Sequence, residues 1–579
     1  MEKWILKNKQ GDIKQYMKEL GCSDLLAKVM INRGFDLKQA SVFLNVEGSM
    51  HDPKLLFDSE KACDILRGEI KKGNRIRVIG DYDCDGICAT YILWKTLHTL
   101  GAKVDYCLPH RMKDGYGLSN GMVLDAIEQG IQTIITCDNG IAALEQIALA
   151  KQHGLTVIVT DHHEVPFLIE NGIKKELLPM ADAIVNIKCS QDHYPFKGIC
   201  GAVIAWKISQ ILLGEAHEVV SQLMSYAAIA TVCDVMELID ENRQIVAKGL
   251  EKMTVNPPVG IEALKRVYEI ETVTSYHLGF VIGPCLNATG RLESAELALS
   301  LLCEENLEKA VILASTLKEL NETRKEMTLQ GVEEALELLE QSKRKKDKVI
   351  VLYLPNCHES LAGIIAGKIR EACHRPTLVF TDCEDGVKAS GRSMECYDMF
   401  ESLSLCKQLF TKFGGHKMAA GLSMSDASKI EILRKLLNEQ CTLEEEDFRE
   451  KVYIDAAVYM SYATIAMAKE LESLEPHGVG NKKPLFAEKD MEVIHARALG
   501  KKGKAAKLMM RSSKGELLEL TYLGDVTPFH SFLDKRYGVG ASKNIYEKQC
   551  AYKLHILYQI QVNYYKGNEY LQLLMKYYC

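Results

Sequence analysis

The chain has 579 residues, 47% of them apolar and 26% charged, with a net charge of −7. That length exceeds what one hydrophobic core organises, so roughly two to four domains are expected. There is no apolar run of the length a membrane-spanning helix needs, and the negative balance excludes a surface coated in positive charge, though a local basic groove remains enough to bind phosphates.

The opening Met1-Glu-Lys-Trp-Ile-Leu-Lys7 lacks a secretory apolar segment and cleavage site. The 19 cysteines include no Cys-x-x-Cys pair, a scatter that suits reduced, mostly buried thiols. A cytoplasmic protein is the expectation.

Residues from about 1 to 72 read as helices with turn punctuation at Ile31-Asn-Arg-Gly-Phe35 and Asp52-Pro53, an N-terminal elaboration expected to pack against a sheet. Three apolar runs follow: Arg75-Ile-Arg-Val-Ile79, Thr133-Ile-Ile-Thr136 and Leu155-Thr-Val-Ile-Val-Thr160. Each is short, rich in Val, Ile and Thr, and bounded by Gly or charge, the pattern of a buried strand. The first runs into Gly80-Asp-Tyr-Asp-Cys-Asp-Gly86, the second into Cys137-Asp-Asn-Gly140, the third into Asp161-His-His-Glu164. Helical segments such as Ile87 to Leu100 alternate with them, so parallel βαβ units are predicted, with Ala102–Leu108 and Ala183–Asn186 as further strands. Ligands on such sheets sit beyond the carboxyl ends of the strands. Asp83, Asp85, Asp138 and His162 therefore converge on one crevice.

Gly198-Ile-Cys-Gly-Ala202 opens a long apolar helix, and Ser225–Val235 is helical in period with one carboxylate, Asp234, which in apolar surroundings needs a partner or a metal. Gly283–Leu292 reads as a turn-rich loop carrying Asn287 and Arg291. Asn306 to about Leu339 is periodic and predicts one or two long helices bridging domains, closed by Lys343-Arg-Lys-Lys346, a solvated charge run. A second domain begins near Val349. The last hundred or so residues alternate in short runs, as in Glu516–Tyr522 and Ile556–Asn563, and predict a small β-barrel.

A glycine-bounded loop after the first strand suggests a dinucleotide site, but three aspartates occupy it and would repel phosphate. Divalent metal resolves the conflict, because carboxylate and imidazole suit Mg²⁺ or Mn²⁺. Two ions about 3.5–4 Å apart would clamp a phosphoryl group, with Asp138, central among the strand ends, as the natural bridge.

Jointly, Gly80–Gly86, Cys137–Gly140, Asp161-His-His163 and Ala230-Thr-Val-Cys-Asp234 resemble the four motifs of the DHH phosphoesterases. Asn287-Ala-Thr-Gly-Arg-Leu292, Ser390-Gly-Arg-Ser393 and Phe413-Gly-Gly-His416 resemble the RecJ single-strand DNA exonucleases with their DHHA1 domain, and Pro476-His-Gly-Val-Gly-Asn481 with the β-rich tail resembles the start of their OB domain. The resemblance covers nearly the whole chain. It implies an α/β protein: an N-terminal elaboration plus parallel-sheet DHH domain over 1–305, a helical linker over 306–347, a smaller α/β DHHA1 domain over 348–460 and an OB-like β-barrel over 461–579.

The resemblance also implies roles. Asp83, Asp85, Asp138, His162 and Asp234, with Asp81 nearby, match metal ligands for two Mn²⁺ or Mg²⁺ ions, and His163 stands behind them or against the scissile phosphate. Arg111, Ser390 and Arg392 match positions that hold a 5′-terminal phosphate. Asn287, Arg291 and His416 are candidate contacts to the nucleic-acid backbone. The implied activity is metal-dependent 5′-to-3′ hydrolysis of single-stranded DNA to 5′-mononucleotides in bacterial DNA repair and recombination, by a cytoplasmic monomer with single-strand-binding protein and a helicase as candidate partners. In the tail, Tyr558, Tyr564, Tyr565 and Tyr570 are candidates for base stacking and Lys501-Lys-Gly-Lys504 for phosphate contact. Two departures stand out: Ile79 occupies a position where many relatives carry His, and Cys285 one where they often carry Arg. The alternatives are a DHH phosphodiesterase acting on short RNA or a cyclic dinucleotide, an inorganic pyrophosphatase, and a non-catalytic DNA-binding scaffold.

Overall fold

A computed structural model describes every residue except 1, 46, 47, 49, 112, 171, 172, 343, 500–504, 548 and 549. The chain divides into two compact units, one of His51–Met236 with Lys248–Glu450, the other of Glu2–Met50, Glu237–Ala247 and Lys451–Cys579.

The first unit opens with β1 (Arg75–Ile79), α1 (Cys84–Thr99), β2 (Lys103–Cys107), β3 (Thr133–Cys137), β4 (Thr156–Asp161) and β5 (Ala183–Asn186). The strands form one sheet in the order β2-β1-β3-β4-β5, parallel throughout. Residues of β3 are buried without exception and those of β1 and β4 nearly so, which is why they read as unbroken apolar runs rather than alternating ones. Arg77 is tolerated inside β1 because its guanidinium is fully engaged: Nε and Nη2 donate to Asp105 at 2.8 Å, Nη1 to Asp125 at 2.6 Å. Strand order reverses about β1, with β2 on one side and β3 on the other, so a crevice opens beyond the carboxyl ends of β1 and β3.

Over this crevice lie α2 (Gly201–Leu213), α3 (Glu218–Cys233) and α4 (Gly283–Leu292). The last corrects the loop expected there. Gly283, Pro284 and Gly290 look like turn residues, but Pro284 lies within a helical run, just after a π-helical turn, Leu278–Ile282. The two glycines serve close packing: a Cβ at 283 would lie 2.1 Å from Cys233 Sγ, and one at 290 would lie 2.5 Å from the Tyr82 carbonyl. The bridging segment is a single 35-residue helix, α5 (Leu307–Gln341). Beyond it come β6 (Ile350–Tyr353), α6 (Ala362–Cys373), β7 (Thr377–Cys383), β8 (Gly386–Arg392), β9 (Lys412–His416) and β10 (Ala419–Met424), a mixed sheet in the order β9-β10-β8-β7-β6.

In the second unit, Phe486–Leu499, Ala505–Arg511, Leu517–Leu523, Asn568–Tyr578 and Tyr552–Tyr565 pair in succession, and the first pairs again with the last, closing a barrel. Tyr558 is a core residue of this barrel, whereas Tyr564, Tyr565 and Tyr570 are exposed. Lys501–Lys504 lies outside the described residues. Although expected beside the parallel sheet, the described residues before His51 belong to this second unit. Lys3–Leu6 instead pairs with Lys451–Ile454, the helix Asp24–Arg33 buries Leu25, Leu26, Val29 and Met30 in the barrel's apolar cluster, and Arg33 donates to Asp455 at 3.0 Å and Asn481 at 2.8 Å.

Candidate active site

The first acidic loop is shaped by backbone demands. Asp83 caps α1, its Oδ1 accepting from the N–H groups of Asp85 (3.0 Å) and Gly86 (3.1 Å). Gly86 is obligatory, since a Cβ there would meet the Asp81 backbone at 2.5 Å. Asp85 turns inward to the start of α2, where Oδ2 accepts from Gly201 N (2.7 Å) and Oδ1 from Ala202 N (2.8 Å); a helix N-terminus holds a carboxylate well. Asp81 is fully buried and accepts from Gly117 N at 3.2 Å.

Asp138, at the end of β3, has φ of 60°. His162 and His163 follow β4, whose last residue, Asp161, accepts from both of their N–H groups and from Ile141. Asp234 is the C-cap of α3. The four elements meet at His162, whose Nε2 lies 3.1 Å from Asp138, 3.6 Å from Asp85 and 3.6 Å from Asp234. Two donor groups compact enough for a cation result among the described residues, Asp138–His162–His163 and Asp85–His162–Asp234. His162 belongs to both; Asp138 borders it.

The fit to metal rests on charge left over. Asp81 Oδ2, Asp138 Oδ1 and Asp234 Oδ2 are buried and accept no hydrogen bond. Burial, and then the neighbouring Asp83, pushes the Asp81 carboxyl up to about 8. Burial with Asp85 and Asp83 does the same to Asp234, also to about 8. Asp83 and Asp138 are raised too, by burial first and by Asp85 next. Carboxylates so placed repel one another unless cations sit among them, and oxygen-rich donors with one imidazole suit hard divalent ions.

The two histidines are electrostatically different. Burial keeps His162 below its ordinary value, leaving a neutral ring able to ligate. Burial would also lower His163, but the hydrogen bond to Asp161 at 2.8 Å and the surrounding carboxylates outweigh it and raise it to about 9. The Tyr116 hydroxyl approaches its Nε2 at 2.9 Å. Tyr116 was not singled out from the sequence; its signal is the Gly115-Tyr-Gly117 triplet, in which both glycines have positive φ and Gly117 holds Asp81.

A cationic group borders the centre. Arg111 lies over the Tyr82 ring at 4.8 Å. Arg291 is held down to about 9 by burial and then by Arg111 and Arg324, with Arg392 adding to the effect; its Nη1 donates to the Ser360 carbonyl at 2.7 Å. Arg392, at the end of β8, is lowered by burial and by Arg111 and Arg370. It fits because α6 carries Gly363, where a Cβ would lie 2.8 Å from its Nη2 and 3.4 Å from Ser390 Cβ. Arg111, Arg291, Ser390 and Arg392 thus gather together. Asn287 holds the acidic loop, its Oδ1 accepting from Cys84 N at 2.8 Å. His416 is exposed at the end of β9, where Nδ1 accepts from Met418 N at 3.3 Å. Ile79 points into an apolar cluster, and Cys285 is buried in α4.

The model of the DHH family's N-terminal domain matches residues 75–231, that of the DHHA1 domain 346–443, and that of the RecJ OB domain 454–577. Parallel sheet, acidic strand ends and Asp-His-His triplet accordingly make this a protein of the DHH class. The chain is 34% identical over 88% of its length to the single-stranded-DNA-specific exonuclease RecJ of Bacillus subtilis, spanning 64% of that protein. It is 31% identical over 91% of its length to the protein of that name from Haemophilus influenzae, spanning 92% of it. A crystal structure of RecJ from Thermus thermophilus in complex with Mn²⁺ matches with a TM-score of 0.80 at 24% identity, over 100% of this chain and 79% of that one. The chain belongs to the RecJ family of single-stranded-DNA-specific exonucleases.

Proposed function

We propose that this protein is a divalent-metal-dependent exonuclease that hydrolyses single-stranded DNA from a phosphorylated 5′ end, releasing 5′-mononucleotides. The observation that carries the reading is the pairing, in one cleft, of buried carboxylate oxygens that accept no hydrogen bond with a cluster of guanidinium groups that have few acidic partners among the described residues. Asp81, Asp83, Asp85, Asp138, His162 and Asp234 would hold two ions, Mn²⁺ or Mg²⁺. When bound, such ions offset the carboxylate charge, polarise phosphoryl oxygens and lower the pKa of water.

The chain's own groups do the positioning. Arg111 and Arg392 present planar, permanently charged donors to a terminal phosphate, and Ser390 adds a hydroxyl. Arg291, pinned to Ser360, fixes the separation between that phosphate and the acidic centre. His163, protonated near neutrality and oriented by Asp161, offers a hydrogen bond to a phosphate oxygen. Tyr564, Tyr565 and Tyr570 on the barrel offer exposed rings for bases. Among the described residues no helix is long and apolar enough to cross a membrane. The reading extends to a bacterial cytoplasmic monomer serving repair and recombination beside single-strand-binding protein and a helicase.

The test supplies the purified protein and Mn²⁺ or Mg²⁺ with end-labelled single-stranded DNA, duplex DNA and diadenylate. Faster turnover of diadenylate than of single-stranded DNA would overturn the polymer reading.

A further inference from the structure

One unbroken helical run, from Ser275 through a π-helical turn at Leu278–Ile282 to the end of α4, passes both the first acidic loop and Cys233, the residue before Asp234. Its landmarks lie beside successive parts of the site. Arg291, at one end, belongs to the guanidinium cluster. One turn back, Asn287 holds the acidic loop. Gly283 abuts Cys233, whose thiol donates to the Leu278 carbonyl at 3.5 Å, and Cys233 directly precedes Asp234. A strand with its 5′ phosphate at the guanidinium cluster and its scissile phosphate among the carboxylates would follow this helix from Arg291 toward Gly283. Beyond Gly283, roughly 16 Å and 22 Å from Arg291 at helical rise, the exposed side chains are Phe280 and Tyr276.

These rings are 67% and 61% exposed, and they stack on each other with centroids 5.0 Å apart and planes 23° from parallel. The buried contacts of the π-helical turn come from Leu278 and Ile282, so core packing does not account for the two exposed aromatics. The widened turn shifts their register, and such turns recur at functional sites. Val235, next after Asp234, is also 63% exposed and held at φ of 61°, a strained state for a β-branched residue of the kind that clusters at binding sites. The cleft on the flank of Tyr276 is lined by Glu269 and Glu271, which repel phosphate and leave neutral base faces as the group that fits.

We propose that Tyr276 and Phe280 form a stacking platform for bases on the 3′ side of the cleaved bond. The proposal rests on the exonuclease reading above. Aromatic stacking is tolerant of sequence, as a processive enzyme requires.

The experiment measures kcat/KM on 5′-phosphorylated oligothymidylates from two to twelve nucleotides with Mn²⁺, for the full-length protein, Tyr276→Ala/Phe280→Ala and Phe280→Trp. The ratio of the twelve-nucleotide value to the dinucleotide value is expected to fall about tenfold in the double variant, through KM, and to be kept by Phe280→Trp. An abasic residue placed a few nucleotides 3′ of the cleaved bond should slow the wild type and leave the double variant indifferent. If the double variant keeps the wild-type length dependence and the wild-type response to the abasic residue, the platform is overturned while the exonuclease reading stands. If the wild type hydrolyses none of these strands, both fall.

Discussion

Gly201 faces Asp138 with no space for one more carbon: a Cβ at position 201 would lie 2.7 Å from Asp138 Cβ and 3.0 Å from its Oδ1. The same glycine donates its N–H to Asp85. Two carboxylates, one in the first turn of α1 and one just past β3, are thus indexed against one helix start.

Gly201→Ala should therefore displace Asp138 and disturb Asp85 together. A misplacement near 1 Å costs on the order of 100-fold in rate, while overpacking costs about 1–3 kcal/mol in stability. The expected result is a folded protein by circular dichroism with single-strand nuclease activity down about 100-fold. Activity within threefold of wild type would show that the site tolerates the shift.

Asp138→Asn removes one charge from a cluster that repels itself. In chelator the variant should melt higher than wild type, by roughly 2–4 °C per kcal/mol of relieved repulsion. With saturating Mn²⁺ the order should reverse, because only wild type gains full stabilisation from binding, about 2.7 kcal/mol at a hundredfold excess over Kd. Activity should be lost. Melting curves with and without Mn²⁺ check the crossover.

Arg392→Ala removes a guanidinium whose hydrogen bond, among the described residues, is to the Gly391 carbonyl at 2.8 Å. Charge-assisted hydrogen bonds are worth about 1.5–3 kcal/mol, so the preference for 5′-phosphate over 5′-hydroxyl ends should drop by roughly tenfold to a hundredfold. Equal loss on both ends would remove Arg392 from phosphate recognition.

In the second unit, burial, with Lys483 and Arg33 nearby, holds His477 down at about 3. Its folded pKa lies below the unfolded value of about 6.5, so its contribution to stability is full above pH 6.5 and is lost as pH falls toward 3. The slope is at most about 1.4 kcal/mol per pH unit. Wild type should lose Tm between pH 6.5 and 5 faster than His477→Gln, as read by thermal melts across that range. Parallel losses would exclude His477 as the source.

The parallel sheet and acidic crevice were legible because their signals are local: β-branched runs that stop at Asp81–Asp85, Asp138 and Asp161–His163 say where strands end and what chemistry gathers there. The helix at Gly283–Leu292 was not, since its glycines are set by Cys233 and Tyr82, which lie far away in the chain. The support Asn287 gives the acidic loop is hidden for the same reason, as nothing nearby in sequence announces the Cys84 N–H it accepts from. Tyr116 escaped notice because its partners, His163 and the Asp138 carbonyl, are assembled only by the fold. The N-terminal helices carry apolar faces that any core could cover, so their choice of the barrel over the sheet is a long-range decision.

That choice has a consequence for how the protein is made. Arg33 and Asn481 are 448 residues apart in the chain, so at ribosomal rates of about 5–20 residues per second the N-terminal segment waits on the order of 20–90 s for its partner. Through that interval Leu25, Leu26, Val29 and Met30 have no barrel core to enter, while the parallel sheet between them in the chain can already close. A segment made well before the barrel that covers it is thus among the last to fold.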